Sequence, residues 1–260
     1  MSPRYNLDKL YTRRELLGLA GLAGAALVAC GDDESSSPTA TAEQTPGSTA
    51  TAASTTAAMT PEALACVLTP ELTEGPFFVD ERLDRSDITT DPSSGEAVEG
   101  VPLTLAMRAY SVQDGACTPL SGATVDVWHC DAEGAYSDVA QNGTEGQQFL
   151  RGLQTTDVKG EAVFQTIYPG WYMGRAVHIH FKLRQFDGAS TTYEFTSQIF
   201  FDDALSDEVF AANAPYNGRG ERDTRNDNDS IFGEGGEQLV VALTASDGGY
   251  SGTFNFGVAL

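Results

Sequence analysis

Short segments in which apolar and polar residues alternate constrain the fold more than any other feature of this chain. Ala176–Arg184 reads A-V-H-I-H-F-K-L-R, and Thr124–His129 and Glu161–Ile167 alternate in the same way. A period of two puts every second side chain on one face, which is typical of a β-strand. Strand-like runs also occur at Val101–Val112, Thr192–Phe201, Leu239–Thr244 and Gly252–Val258.

Turn-forming residues separate these predicted strands. Lys159-Gly160, Pro169-Gly170 and Asp187-Gly188 each stand between two of them, and glycine and proline favour turns over regular structure. Many short strands at such spacing predict an all-β fold, namely an antiparallel β-sandwich with long loops. Residues 202–236 are polar and poor in strand signals, so we expect a functional or mobile loop there.

The start of the chain has the composition of an export signal. Arg13-Arg14 precedes an apolar run rich in glycine and alanine, Leu16–Ala29. This run is shorter than the roughly 20 residues that a membrane-spanning helix needs. The arginine pair matches the twin-arginine export signal. Leu27–Cys30 reads L-V-A-C, like the lipobox of bacterial lipoproteins. We therefore expect residues 1–29 to be a twin-arginine-type lipoprotein signal peptide that is removed, leaving Cys30 acylated.

This signal predicts an exported protein that is lipid-anchored on the outer side of the cytoplasmic membrane or in the periplasm. Residues 30–60 are rich in Ser, Thr, Ala and Pro and contain no aromatic residue. They cannot bury enough apolar surface to offset their ordering entropy, so we expect a disordered tether. An amphipathic N-terminal helix is the alternative, but polar low-complexity sequence begins directly after the apolar run. The folded domain is then residues 61–260.

The charge of the chain argues against a nucleic-acid partner. It carries 37 acidic and 15 basic side chains, a formal net charge of −22, whereas a surface that follows phosphates needs a basic face. The acidic excess favours solubility or a saline habitat. If Cys30 is acylated, an exported protein permits a disulfide between any two of Cys66, Cys117 and Cys130. The sequence has no C-x-x-C pair to hold zinc or an iron–sulfur cluster.

Two of the three histidines form the motif His178-Ile179-His180. Residues two apart in a strand face the same side, so these imidazoles make a platform for a metal ion. A pair of surface histidines is the alternative interpretation. The surroundings favour a metal, because an aromatic turn with one arginine, Tyr168–Arg175, precedes the pair. Further upstream, Trp128–Tyr136 is a strand and a glycine turn that ends on a tyrosine.

The order of these residues resembles that of the intradiol ring-cleavage dioxygenases, the family of catechol and protocatechuate dioxygenases. The shared order is Tyr136, Tyr172, Arg175-x-x-His178-x-His180 and then Gln198. Thr73–Phe78 (T-E-G-P-F-F) is similar to a family segment near the site, and Cys66–Pro70 and Tyr168–Tyr172 are similar to the exported branch of the family. The resemblance covers most of residues 66–232.

The resemblance implies a non-haem Fe(III) cofactor, with Tyr136 and Tyr172 as phenolate ligands and His178 and His180 as imidazole ligands. Two phenolates and a hydroxide offset the charge of ferric iron, and metal binding lowers the pKa of tyrosine far below its free value of about 10. It also implies a catechol-type substrate and O₂, with the ring opened between the hydroxyl-bearing carbons to a muconate-type diacid. Tyr172 would be the displaceable ligand that takes up a catechol proton.

Two more residues have catalytic roles by the same resemblance. Arg175 lies three residues before His178, so its cation can reach the metal face and stabilise negative charge on the substrate; a structural ion pair with a carboxylate is the alternative. Gln198 matches a family glutamine that flanks the substrate. We expect the remaining candidates to be structural: His129 as a hydrogen-bonded residue, Trp128 and Trp171 in the core, and Asp131, Glu133, Asp202 and Asp203 in solvated turns.

Two other functions are compatible with parts of the pattern. One is a lipid-anchored β-sandwich that binds a ligand without catalysis, although this chain retains all four candidate metal ligands and the arginine. The other is a different mononuclear metalloenzyme, such as a cupin-like Fe(II) or Mn(II) protein, which needs a carboxylate after the His-x-His motif. Since the chain carries its own four candidate ligands, it could act alone or as a homo-oligomer.

Overall fold

The computed structural model describes residues 67–260. The predicted signal peptide, the tether, Cys30 and Cys66 lie outside the described residues. Within residues 67–260, no helix has the length and apolar character needed to cross a membrane. Of the cysteines in this range, Cys117 is disulfide-bonded and Cys130 is a buried free thiol.

Nine β-strands and one α-helix make up the regular structure of the described residues. They are β1 (Pro102–Gln113), β2 (Ala116–Pro119), β3 (Thr124–Trp128), β4 (Arg151–Thr155), β5 (Glu161–Ile167), β6 (His178–Asp187), β7 (Ser190–Phe200), α1 (Asp203–Ala212), β8 (Leu243–Ser246) and β9 (Gly249–Val258). The prediction of an all-β fold is confirmed, because the strands form two sheets. The short strands β2 and β4 were not among the predicted segments.

The first sheet is built around β1. One edge of β1 pairs antiparallel with β5 over Pro102–Arg108 and with β2 further along. The other edge pairs with β9, and this pair is parallel over Leu103–Ser111. β8 completes the sheet by pairing with β9. The predicted antiparallel sandwich therefore contains one parallel pair, formed by strands that lie far apart in sequence.

The second sheet has the order β4-β3-β6-β7, and all its pairs are antiparallel. Its inner face packs against the first sheet. The ring of Phe181 on β6 lies 5.7 Å from Phe254 and 4.9 Å from Phe256 on β9, measured between centroids. Leu105 and Met107 on β1 are also fully buried. This layer of side chains is the core of a β-sandwich.

The outer face of the second sheet is also buried, because a segment from the start of the domain covers it. We call this segment, residues 73–84, the strap. Lys182 on β6 forms an ion pair with Glu74 of the strap, and Arg184 on β6 pairs with Asp80 at 3.1 Å. Lys182 is 3% exposed and Arg184 is 5% exposed. The strap therefore converts one solvent face of the sheet into an interior.

Residues 202–236 are more ordered than the sequence predicts. The expectation of a loop is wrong for Asp203–Ala212, which form α1. The side chain of Asp202 caps the helix by accepting a hydrogen bond from Leu205 N at 2.9 Å. Val209 and Phe210 are buried on one side of the helix. Four short 3₁₀ turns follow between Tyr216 and Leu239.

Candidate metal centre

Strand register brings the first residues of the site together on the outer face of the second sheet. His180 on β6 lies directly opposite Trp128 on β3 and Gln198 on β7. Opposite residues in adjacent strands share a face, and so do residues two apart in one strand. His178, His180 and Gln198 therefore point to the same side, as the alternation in β6 predicts.

Two turns that pack against each other supply the tyrosines. Tyr136 follows the turn after β3, and Tyr172 lies in the turn between β5 and β6. A Cβ atom at Gly134 would stand 2.3 Å from Trp171 O, and one at Gly170 would stand 2.4 Å from Asp131 O. Both distances are far below van der Waals contact. Only glycine lets the two turns approach so closely, and this approach brings the two phenols together.

The other three candidate ligands converge on His178 Nε2. Tyr172 Oη lies 3.1 Å from this nitrogen, His180 Nε2 lies 3.1 Å from it, and Tyr136 Oη lies 3.3 Å from it. Ligands bound to one ion at about 2 Å stand about 3 Å apart. Two oxygen and two nitrogen donors at this spacing fit one metal ion, and imidazole suits iron, zinc or copper.

Burial is the main cause that favours the neutral form of all four groups. It raises the pKa of Tyr172 to about 12 and the pKa of Tyr136 well above the usual value. Burial, reinforced by the nearby charge of Arg175, lowers the pKa of His178 to about 3. The pKa of His180 is also lowered well below its usual value, first by burial. Both imidazoles therefore have the neutral form that binds metal, whereas the phenols need a cation to become phenolates.

A hydrogen bond fixes the ring orientation of His178, and packing fixes that of His180. His178 Nδ1 donates to Ala176 O at 2.6 Å, and a backbone partner at this nitrogen directs Nε2 toward a metal. His180 Nδ1 is buried without a hydrogen-bond partner among the described residues, but its ring is fixed by packing. Trp128 stacks on it at 5.0 Å with an interplanar angle of 10°. A Cβ atom at Gly75 of the strap would lie 3.3 Å from His180 Cε1.

Aromatic side chains form an apolar wall beside the candidate metal ligands, on the side of the strap. Phe77 stacks on Tyr136 at 4.6 Å between centroids, and Phe78 lies 4.8 Å from Trp128. Trp128 and Tyr136 are buried together in a hydrophobic cluster separate from the main core. The expectation that Trp128 belongs to the core is therefore incomplete, because its ring forms one wall of the candidate centre. Trp171, by contrast, packs against the main core as predicted.

Arg175 reaches the candidate ligands and also forms the ion pair of the alternative interpretation, while its effect on a substrate stays a prediction. Its Nη1 lies 3.4 Å from His178 Nε2 and 3.5 Å from Tyr172 Oη. Its Nε pairs with Asp229 at 2.9 Å. Burial acts to raise the pKa of Asp229, but the hydrogen bond from Ala176 N and the charge of Arg175 lower it below the usual value. Asp229 was not predicted, since it lies in a polar run without a recognisable motif.

Gln198 connects the arginine to the strap. Its Oε1 accepts from Arg175 Nη2 at 2.5 Å, and its Nε2 donates to Thr73 O at 2.8 Å. The residue is fully buried. The structure thus brings all six predicted site residues together: Tyr136, Tyr172, Arg175, His178, His180 and Gln198. Their assignment as ligands and catalytic groups stays a prediction.

The other candidates are structural. His129 is 1% exposed, and its ring nitrogens bond Cys130 O at 2.8 Å and Thr166 Oγ1 at 2.6 Å. The prediction of a hydrogen-bonded structural role is confirmed. Asp131 accepts from two backbone N–H groups within its own turn. No cluster of three or more His, Cys, Asp or Glu side chains fit for a metal occurs in residues 67–260.

Comparison with known proteins assigns the chain to a family. A family profile described as a dioxygenase, Dioxygenase_C, matches residues 73–235, which include every candidate ligand. An intradiol ring-cleavage dioxygenase from Tetranychus urticae superposes with a TM-score of 0.63 at 28% identity, covering 75% of this chain and 94% of that one. The chain belongs to the intradiol ring-cleavage dioxygenase family. The resemblance to the family is confirmed, whereas the assignment to its exported branch stays a prediction.

Two further similar proteins show how far the similarity extends. The dioxygenase domain of a dioxygenase and carbohydrate-binding fusion protein from Streptomyces sp. SirexAA-E has a TM-score of 0.54 and 28% identity, with 75% of this chain and 99% of that chain covered. Catechol 1,2-dioxygenase 1 of Acinetobacter lwoffii is 26% identical in an alignment of 150 residues that covers 49% of this chain and 45% of the relative. The chain thus matches less than half the length of this curated relative.

Proposed function

We propose that this chain is a non-haem Fe(III) dioxygenase. It would open the ring of a catechol-type substrate between the two hydroxyl-bearing carbons and insert both atoms of O₂, giving a muconate-type diacid. The observation that carries the proposal is the approach of two phenol oxygens and one imidazole nitrogen to within 3.3 Å of His178 Nε2. Membership of the intradiol family supports the reaction class.

Tyr136, Tyr172, His178 and His180 are the residues that would hold the iron. Phenolate oxygens offset the charge of a ferric ion, and the neutral imidazoles complete a mixed oxygen and nitrogen donor set. When bound, ferric iron withdraws electron density from a chelated catecholate and so makes the ring reactive toward O₂. The side chains around the iron site would bind the catechol, move its protons and exclude water.

The two tyrosines differ in burial, which supports different roles. Tyr136 is 1% exposed and lies beneath Phe77. Tyr172 is only partly buried, and the next residue, Met173, is 83% exposed. We therefore assign Tyr172 as the ligand that gives way to the substrate, with its Oη accepting a catechol proton, while Tyr136 remains in place.

Arg175 would stabilise the negative charge that develops on the substrate. Its Nη1 lies beside Tyr172 Oη and His178 Nε2, where a catechol oxygen would replace the phenol. A pre-placed donor at such a position typically contributes about 10²–10³-fold in rate. Gln198 would flank the substrate while its amide holds Nη2 of the arginine. Phe77 and Trp128 exclude water from the opposite side, which strengthens these electrostatic interactions.

Oxygen uptake and product analysis test the proposal. Purified protein loaded with iron should be red-brown from tyrosinate-to-iron charge transfer, and it should consume O₂ with at least one member of a catechol panel. With labelled O₂, both atoms should appear in a muconate-type diacid. A yellow semialdehyde would contradict cleavage between the hydroxyls. A red, iron-replete protein that consumes no O₂ with any catechol would favour the non-catalytic alternative.

We also propose that the protein is exported by its twin-arginine-type signal and anchored by a lipid on Cys30. Support comes from the arginine pair and the lipobox-like sequence before this cysteine. Cys30→Ser should move the protein from the membrane to the soluble fraction without changing its activity, since the anchor precedes a long polar segment. Cell fractionation measures this. Wild-type protein found entirely in the soluble fraction would contradict the anchor.

A further inference from the structure

The guanidinium of Arg175 makes contacts in three directions. Nε donates to Asp229 Oδ2 at 2.9 Å, Nη2 donates to Gln198 Oε1 at 2.5 Å, and Nη1 lies 3.5 Å from Tyr172 Oη. A guanidinium is a rigid planar fork of donors. Fixing Nε and Nη2 therefore also fixes the direction of Nη1. This direction determines whether the positive charge faces the candidate ligands.

Asp229 is built as a rigid anchor for this fork. Its side chain is fully buried, and it lies 54 residues beyond Arg175 in the chain. Besides the arginine, Oδ2 accepts from Ala176 N at 2.8 Å, and Oδ1 accepts from Ile231 N at 2.8 Å and Phe232 N at 3.3 Å. With its oxygens held by three backbone groups, the carboxylate cannot follow the arginine if that side chain swings away.

The same carboxylate also acts on the backbone that orients His178. Asp229 holds the N–H group of Ala176, and the carbonyl group of Ala176 accepts from His178 Nδ1. The bond from His178 Nδ1 to Ala176 O places the ring proton on Nδ1. It leaves the lone pair of Nε2 facing the other candidate metal ligands. One buried side chain therefore contacts both the arginine and the residue that orients the first imidazole.

We propose that Asp229 is a positioning residue that holds Arg175 Nη1 toward Tyr172 and His178, so that its charge meets the substrate. The inference rests on the function proposed above. The competing interpretation is that Asp229 only folds its own segment, through the bonds to Ile231 and Phe232.

Asp229→Asn separates the two roles. The amide keeps one oxygen for the N–H groups of Ile231 and Phe232. Its NH₂ group faces the guanidinium and Ala176 N, and it can accept a hydrogen bond from neither. We expect iron content to stay close to wild type and kcat per bound iron to fall by about 10–100-fold, as for other residues that orient a metal site indirectly. The tyrosinate charge-transfer band should shift in the same direction as in Arg175→Ala, because both changes take Nη1 away from Tyr172 Oη.

A double-mutant cycle with Arg175→Ala gives the decisive result. If Asp229 acts through the arginine, Asp229→Asn should lower kcat several-fold less in the Arg175→Ala background than in the wild-type protein. The loss that remains in that background measures the contribution of the bond to Ala176 N. The matched control is Asp126→Asn, which breaks another buried carboxylate–arginine pair on the same sheet face, with Arg184 at 2.7 Å. That variant should keep the wild-type kcat per bound iron and the wild-type band.

Three results would overturn the inference. Equal losses of kcat from Asp229→Asn with and without the Arg175 side chain would assign the carboxylate a purely structural role, and so would an unshifted band. If Asp229→Asn does not fold, Asp229→Ser takes its place in the cycle, and failure of both to fold would also make the residue structural. Wild-type protein that binds no iron and cleaves no catechol would overturn the proposed function itself, so the two failures are distinguishable.

Discussion

The two faces of strand β6 are equally buried but chemically opposite. Ile179, Phe181 and Leu183 point inward to the sandwich core and are fully buried. On the other face, His178, His180, Lys182 and Arg184 are each 5% exposed or less. Only two-residue alternation separates the two sets, so one strand contributes to an apolar interior and to a polar one.

The comparison shows that the two interiors are stabilised in different ways. The inner face gains free energy from apolar area removed from water, about 25 cal/mol per Å². The outer face buries imidazoles and cations, which costs free energy unless each group finds a partner. The strap provides partners through Glu74 and Asp80. The inner face is thus held by packing, whereas the outer face is held by charge pairs and, in our proposal, by a metal.

The largest expected effect tests whether the outer face holds iron. His178→Ala or His180→Ala should lower iron affinity by more than about 100-fold, beyond what loss of an indirect partner costs, and activity should fall with it. Metal analysis and absorption spectra measure this. His129→Asn is the control, because it removes the remaining histidine, whose nitrogens bond Cys130 and Thr166 instead. Iron content unchanged in both alanine variants would refute the ligand assignment.

The next prediction tests whether the buried Tyr136 and the less buried Tyr172 hold iron differently. Tyr136→Phe and Tyr172→Phe should each change the visible charge-transfer band, since each removes one phenolate donor. We expect the protein to retain iron better without Tyr172, the less buried of the two, because three donors remain in the rigid part of the site. Spectra and iron analysis of both variants provide the check. Tyr216→Phe, which alters a buried tyrosine bonded to Val101 N and Tyr168 O, should leave the band unchanged.

A third prediction concerns the inner face. Phe181→Ala should destabilise the fold by about 3–5 kcal/mol, as expected for a fully buried ring. For a domain of this size, each kcal/mol corresponds to a fall in Tm of roughly 2–4 °C. Iron per folded molecule should not change, because this ring faces away from the donors. Val158→Ala, at a site that is 83% exposed, is the control for thermal unfolding. Selective loss of iron from Phe181→Ala would show that the two faces are not independent.

The smallest expected effect concerns the ion pairs of the strap. Lys182→Met should change stability by no more than about 1 kcal/mol, because Glu74 and Glu194 are 40% and 47% exposed and remain solvated without their partner. Amide hydrogen exchange in residues 73–80 should nevertheless become faster as the strap loosens. Arg108→Met, which breaks the pair with Glu161 on the other sheet, should leave this exchange unchanged. Equal exchange in both variants would mean that the ion pair between Lys182 and Glu74 does not hold the strap.

Local sequence predicts the parts of this molecule that depend on local chemistry. The alternation in β6 predicts which side chains share a face, including the histidine pair. The tyrosines were predicted as ligands only by the resemblance to the intradiol family. The short strand β4 was missed because Arg151–Thr155 contains a glycine and lacks a regular pattern of apolar residues. Helix α1 does have a signal, an aspartate cap followed by buried residues at helical spacing, but the polar sequence that follows it obscured this signal.

The features that could not be predicted arise from contacts between distant parts of the chain. The parallel pairing of β1 with β9 leaves no trace in either segment. The position of Trp128 against His180 follows from strand register, which no single segment determines. Asp229 can be recognised only once Arg175 is seen beside it. The histidine pair can thus be recognised within one segment, whereas the residues that support it depend on tertiary structure.

The strap also has a consequence for the order of folding. Its contacts with β6 and β7 span more than a hundred residues, from Glu74 to Lys182 and from Thr73 to Gln198. Closing loops of this length costs entropy before any contact repays it, so such contacts form late. The second sheet must be paired before the strap has a surface to cover. We therefore expect the histidines to share a face before the strap docks over them, so that an ion can reach them while they are still open to solvent.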